Sequence, residues 1–120
     1  MEPQVGQVVT VFRSRVRPDN APAYFEHAGR MSALAATMPG YVEHKAFAAD
    51  DGERVTLVTF ADRETHNAWR DHPEHRAAMR AGIAGYYEMY TIAVGAVDYA
   101  SSFTRPGAGR PTIPSDVALD

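Results

Sequence analysis

The sequence has no cysteine and only one lysine. Without a thiol there is no disulfide, no thiolate metal site and no cysteine nucleophile, so stability must come from packing and chemistry from nitrogen and oxygen groups. Nor is there an excess of positive charge. Twelve Lys and Arg stand against 15 Asp and Glu, a formal charge of −3 that offers no field for a phosphate backbone, and nucleic acid is not an expected partner. No run of about 18 apolar residues occurs, and "MEPQVGQVVTVF" lacks the basic region and apolar stretch of a secretion signal. No membrane association is expected, and a cytoplasmic protein is the default expectation. Walker, Gly-x-Ser-x-Gly and dinucleotide signatures are missing too; "PGAGRP" contains Gly-x-Gly but neither follows a strand nor opens a helix. What is present is an ordinary globular composition, 45% hydrophobic over 120 residues, enough for one domain with one core.

Periodicity divides the chain. "QVVTVFRSRV", Gln7 to Val16, is β-branched and alternates Val8, Thr10 and Phe12 with Val9, Val11 and Arg13, which reads as a strand. "RPDNAP" breaks it and offers Asp19 or Asn20 as a helix cap. Tyr24, Phe25, Ala28, Met31, Leu34, Ala35 and Met38 then recur at helical spacing until Pro39 and Gly40. "YVEHKAFAA" and "ERVTLVTFA" flank Asp50 to Gly52, a hairpin signal because the turn needs positive φ. Asp62 caps a short helix through Trp69. Pro73 restarts a second piece, expected to run to about Gly85, and Tyr86 to Ala100 reads as a last strand. Residues 1–100 are therefore expected to be one domain and 101–120 a Pro/Gly/Ser-rich tail.

The order β-α-β-β-α-β predicts an α+β, ferredoxin-like fold, an antiparallel sheet with helices on one face. "VVTVF" and "TLVTF" are apolar or β-branched on both faces. A second copy of the chain is the simplest cover for the other face, so a homodimer is expected.

With that order in place, "MPGYVEHKAF", "DDGERVTLVTFADRETHNAWRDHPEHRAAMR" and "GYYEMYTIAV" together resemble the antibiotic biosynthesis monooxygenase family, over about Gln7 to Val97. The resemblance implies a dimeric α/β barrel with a pocket between sheet and helices of each protomer. It also implies one of several activities: cofactor-free oxygenation of polycyclic phenols, anthrones and quinols, haem degradation, or no assigned role. The haem-degrading branch has an asparagine on strand one and an iron-ligating histidine about ten residues after a tryptophan. Here the first strand has no asparagine and the tenth residue after Trp69 is Met79, so that activity is disfavoured.

Within such a pocket His75 is the candidate base. It falls in the first turn after Pro73, where the positive helix end favours neutral imidazole, and aligns with Met79, Ile83 and Tyr86 in a stripe expected to face the sheet. The plainer alternative is a helix-end histidine bonded to a carbonyl. Trp69 is either a flat wall for an aromatic substrate or a core anchor. His44 reads as a pocket acid/base or an interface residue, and His27 as solvated. Phe12, Tyr24, Phe47, His72, Tyr86 and Tyr87 are the other expected substrate contacts, with Tyr90 beside them. His66, His72, His75 and Glu74 invite a metal, but Pro73 breaks the helix between them, so no metal is expected. The reading that results is a cofactor-free monooxygenase in which a small aromatic, polyketide-like anthrone or quinol, as its anion, gives electrons to dioxygen directly. A non-catalytic dimer that binds a small molecule, or a cyclase or isomerase using the same base, are the alternatives.

Overall fold

The computed structural model describes residues 2–107. β1 (Val8–Val16) leads through a short 3₁₀ turn (Pro18–Asn20) into α1 (Ala21–Ala35). β2 (Tyr41–Ala48) and β3 (Arg54–Phe60) form the expected hairpin, with Gly52 at φ 90° in its turn. α2 (Arg63–Arg70) and α3 (Pro73–Ala81) follow, then a π-helical turn (Gly82–Tyr86) and β4 (Tyr87–Ala96). All pairings are antiparallel in the order β2-β3-β1-β4, so the architecture is the α+β, ferredoxin-like one that the element order implies.

Alternation places Val8, Thr10, Phe12 and Ser14 of β1 under the helices, beside Arg54, Thr56, Val58 and Phe60 of β3. The centre of the core is Ala35, Val58, Phe60 and Trp69, with Met31, Leu34, Met38 and Tyr41 packed against it. α2 is held in place by Asp62, whose carboxylate accepts from Thr65 N–H at 2.9 Å while the Thr65 hydroxyl faces the Asp62 amide, a reciprocal cap. The preceding corner depends on Gly40. Its φ of 79° is left-handed, a Cβ there would collide with Thr65, and its carbonyl accepts from Ala61 N–H at 2.7 Å.

Several expectations are corrected. α1 ends at Ala35 rather than near Met38, and Phe25 is 49% exposed rather than packed in the helix core. Asn20 occupies the N-cap position but does not cap; its amide donates instead to the Gly85 carbonyl, tying α1 to the turn before β4. α3 stops at Ala81, and Tyr86 belongs to the π turn rather than to the last strand. Gly82 is needed there because a Cβ would run into the Tyr87 ring. The wider turn also rotates Ile83 out of the stripe that His75 and Met79 begin, leaving it 63% exposed. β4 ends at Ala96, four residues early. Regular alternation along β2 would put Val42 on the face of His44, but a bulge between Tyr41 and Glu43 breaks it, and Val42 lines a small groove with Glu43 instead. Of the expected tail, residues 101–107 contain no helix or strand, and the rest lies outside the described residues. No helix among the described residues is long and apolar enough to cross a membrane.

Candidate functional site

Sheet and helices do not close fully on one another. Between them lies a cavity of about 690 Å³, with Thr10, Phe12 and Val58 in its floor and residues of α1, α2 and α3 above. Ile92 and Val94 of β4 line it while remaining 48% and 40% exposed, so this is its open side.

His75 and Trp69 form one wall. Pro73 turns the chain between α2 and α3 so that the two rings stack, 4.5 Å between centroids at 27°. Trp69 is itself 5% exposed and stacks on Phe60 from its other neighbourhood, 6.5 Å away. Core anchor and pocket wall are therefore the same residue. The His75 Nδ1–H donates to the Arg70 carbonyl at 3.3 Å, which fixes the tautomer: in the neutral ring the lone pair is on Nε2. No group among the described residues bonds Nε2. Burial pulls the His75 pKa below its ordinary 6.5, against the Arg70 carbonyl, which raises it. Burial also lowers His44, and His75 adds to this as a second potential positive charge nearby. The two imidazoles are thus held neutral at pH 7 within one cavity.

His66 is the histidine whose surroundings the sequence obscured. It is 5% exposed, with Nε2 3.2 Å from the Thr10 hydroxyl and Nδ1 3.0 Å from the Asn67 side-chain oxygen. Its position three residues before Trp69 was the available signal, since i and i+3 share a helix face. His72 does not line the cavity. It is the N-cap of α3, accepts from Glu74 N–H at 3.1 Å, and packs tilted against Trp69. The histidines at 66, 72 and 75 therefore serve separate partners, and no three His, Asp or Glu side chains among the described residues gather as a metal-holding group.

The other end is aromatic. Tyr24 is buried and meets Tyr86 and Tyr87 edge-on at 5.9 and 5.5 Å, and Phe12 meets Tyr87 at 5.4 Å. Burial pushes the Tyr87 hydroxyl well above the usual phenol range, so it is a neutral donor at any working pH. His27 is not solvated as expected: it lines the cavity with Nδ1 3.3 Å from the Tyr86 hydroxyl. Phe47 is the opposite correction. Period-two alternation sends it to the face away from the helices, 49% exposed, while its neighbours His44 and Ala46 line the cavity. Sequence reasoning also missed Arg54, although alternation in "ERVTLVTF" puts it on the same face as Thr56, Val58 and Phe60.

Fold and site together define a ferredoxin-like α+β protein that encloses an aromatic, histidine-lined cavity between its sheet and its helices. Residues 7–81 match the antibiotic biosynthesis monooxygenase family, and the chain belongs to that family. It is 36% identical over 88 residues to the uncharacterized protein YqjZ of Bacillus subtilis (strain 168), covering 73% of this chain and 77% of YqjZ. Among solved structures it is similar to SnoaB, a cofactor-independent oxygenase from Streptomyces nogalater, with a TM-score of 0.66 at 23% identity over 78% of this chain and 95% of that one. Rv0793 from Mycobacterium tuberculosis gives a TM-score of 0.70 at 20% identity over 80% of this chain and 100% of its own. At such identities the structural likeness speaks to the fold.

Proposed function

We propose that the chain is a cofactor-free oxygenase of electron-rich aromatics, an anthrone or quinol, with His75 as the base. The observation that carries the reading is His75 itself: a neutral imidazole stacked on Trp69, its Nδ1–H occupied by Arg70 and its Nε2 lone pair left for a substrate proton. An anthrone bound against Trp69 would lose a proton from its methylene carbon to Nε2. The resulting anion passes one electron to dioxygen, the radical pair joins to form a carbon–oxygen bond, and the hydroperoxide loses water to leave a new carbonyl. The balance is CH₂ plus O₂ to C=O plus H₂O, with the proton borrowed by His75 returned. The neutral Tyr87 hydroxyl and His44, which line the same cavity, would serve as donors for the developing oxyanion. Membership of the family and the likeness to SnoaB support this reading.

Oxygen uptake by chelator-treated protein against a panel of anthrones and hydroquinones tests it. Uptake that survives chelation and drops in Trp69→Phe supports the proposal. No rate above the uncatalysed one on any substrate removes it, and leaves the cavity as a binding or isomerase site.

The active unit is proposed to be a homodimer. Val9, Val11, Val55 and Leu57 form an apolar strip on the sheet face turned from the helices, with Phe47 and Met89, 49% and 39% exposed, beside it. A second copy would bury this strip. Light scattering at micromolar concentration should return twice the 13.1 kDa chain mass, and a monomer would contradict it.

A further inference from the structure

One buried imidazole takes no part in the chemistry proposed above. His66 lines the cavity at 5% exposure, and its ring nitrogens face two different groups, the Thr10 hydroxyl 3.2 Å from Nε2 and the Asn67 side-chain oxygen 3.0 Å from Nδ1. A carbonyl oxygen only accepts, so in the neutral ring the proton is on Nδ1 and donates to Asn67. Nε2 is then an acceptor, and the Thr10 O–H points at it. No neighbour competes for that proton: Thr10 stands in register between Val58 of β3 and Val94 of β4, and among the described residues its side chain bonds only His66.

A hydroxyl resting on a base, whose other nitrogen is held by a third group, is the arrangement that turns a weak nucleophile into an acyl acceptor. Here the three groups come from two elements, Thr10 from β1 and His66 with Asn67 from α2, so the array exists only where helix and sheet meet. Thr10 lines the cavity, and its oxygen keeps lone pairs for what enters. Phe12 on the same face of β1 and Trp69 on the same face of α2 line the cavity as well, which gives an aryl group flat apolar surface beside the hydroxyl.

We propose that Thr10 is a second reactive group in this cavity, a nucleophile that accepts the acyl group of a small phenol ester, with His66 as its base and Asn67 as the residue that positions the imidazole. The Thr10 O–H bond breaks and its proton passes to His66 Nε2, the freed oxygen bonds to the acyl carbon, and the phenol leaves with the proton from Nε2. The products are an acyl-threonine and a free phenol, with nothing oxidised or reduced. His75 and dioxygen take no part.

The test is acetylation of the full chain by p-nitrophenyl acetate at about pH 8, where imidazole is neutral, followed by acid quench, intact mass and peptide mapping. Thr10 should carry the acetyl group, with p-nitrophenol released in an initial burst. The position of the label decides, because exposed amines and histidines also react with this ester. Thr10→Val, which sits between two valines, should lose the label, and Thr10→Ser should keep it. His66→Gln should slow labelling about a hundredfold or more. Asn67→Leu, which leaves the buried His66 in place, should slow it roughly tenfold or more, whereas Asn67→Asp, which can only accept, should stay near the parent rate. Circular dichroism checks that each variant is folded. No label on Thr10, label only at other residues, an unchanged rate at Thr10 in folded His66→Gln or Asn67→Leu, or loss of the label in folded Asn67→Asp would overturn the proposal. The outcome is separable from the oxygenase reading. Labelling of Thr10 without oxygen uptake on any anthrone or quinol removes that reading and leaves this one standing; uptake without Thr10 labelling does the reverse.

Discussion

His75→Ala is expected to lower kcat for oxygen uptake by about 10²- to 10⁴-fold while leaving the circular dichroism spectrum unchanged. The size follows from what is lost. A phenol or anthrone does not ionise appreciably at pH 7, and without Nε2 the proton must go to water, a far weaker base than imidazole. His75→Gln keeps the hydrogen bond to the Arg70 carbonyl in reach of an amide N–H but cannot accept a proton, so it should be as inactive as alanine. The pH profile separates a base from a positioning group. Burial holds the folded-state pKa of His75 below 6.5. kcat/KM should therefore be flat around pH 7 and fall only as pH drops below that ordinary value. Turnover within a few-fold of the parent in both variants would end the assignment.

Stability carries a related signature. His44 and His75 both have depressed folded-state values, so the unfolded chain takes up protons at these sites first. Their contribution is intact above the unfolded value near 6.5 and is lost as pH falls toward the depressed folded ones.

Phe60→Ala is expected to be the most damaging single substitution to stability, costing about 3–5 kcal/mol. Phe60 is fully buried, stacks on Trp69 and meets Tyr41 edge-on at 6.2 Å. Removing the ring leaves a void beneath the wall on which His75 rests. Because domains of this size are stable by only roughly 5–15 kcal/mol, the loss takes a large share of the total. Urea unfolding followed by the emission of Trp69, the single tryptophan, measures it directly. A shift under about 1 kcal/mol would mean that the cavity absorbs the void and that Phe60 is not the support of the site.

The element order and the hairpin were legible because strand and helix periods of 2 and 3.6 are written locally, and Gly52, Asp62 and Pro73 act on their immediate neighbours. Phe47 and Arg54 were legible in principle by the same alternation, since one points from the cavity and the other toward it. What escaped were departures from regular period. The π turn at Gly82–Tyr86 shifts Ile83 out of line with His75, and the bulge at Val42 breaks the alternation of β2. The first is accompanied by a contact that no local period records, the Asn20 amide on the Gly85 carbonyl 65 residues away.

The sequence by itself determined the absence of thiol chemistry, the ferredoxin-like order of elements, and the histidine-rich corner around Trp69, because these depend on composition and on residues close in the chain. Only the tertiary structure decided which histidines share a cavity. Whether His66 meets Thr10 or His27 meets Tyr86 depends on residues 56 and 59 positions apart, and the place of Arg54 against Tyr24 and Phe25 likewise needs two elements to come together. Burial, which sets the neutral state of His75, exists only once sheet and helices have closed around it.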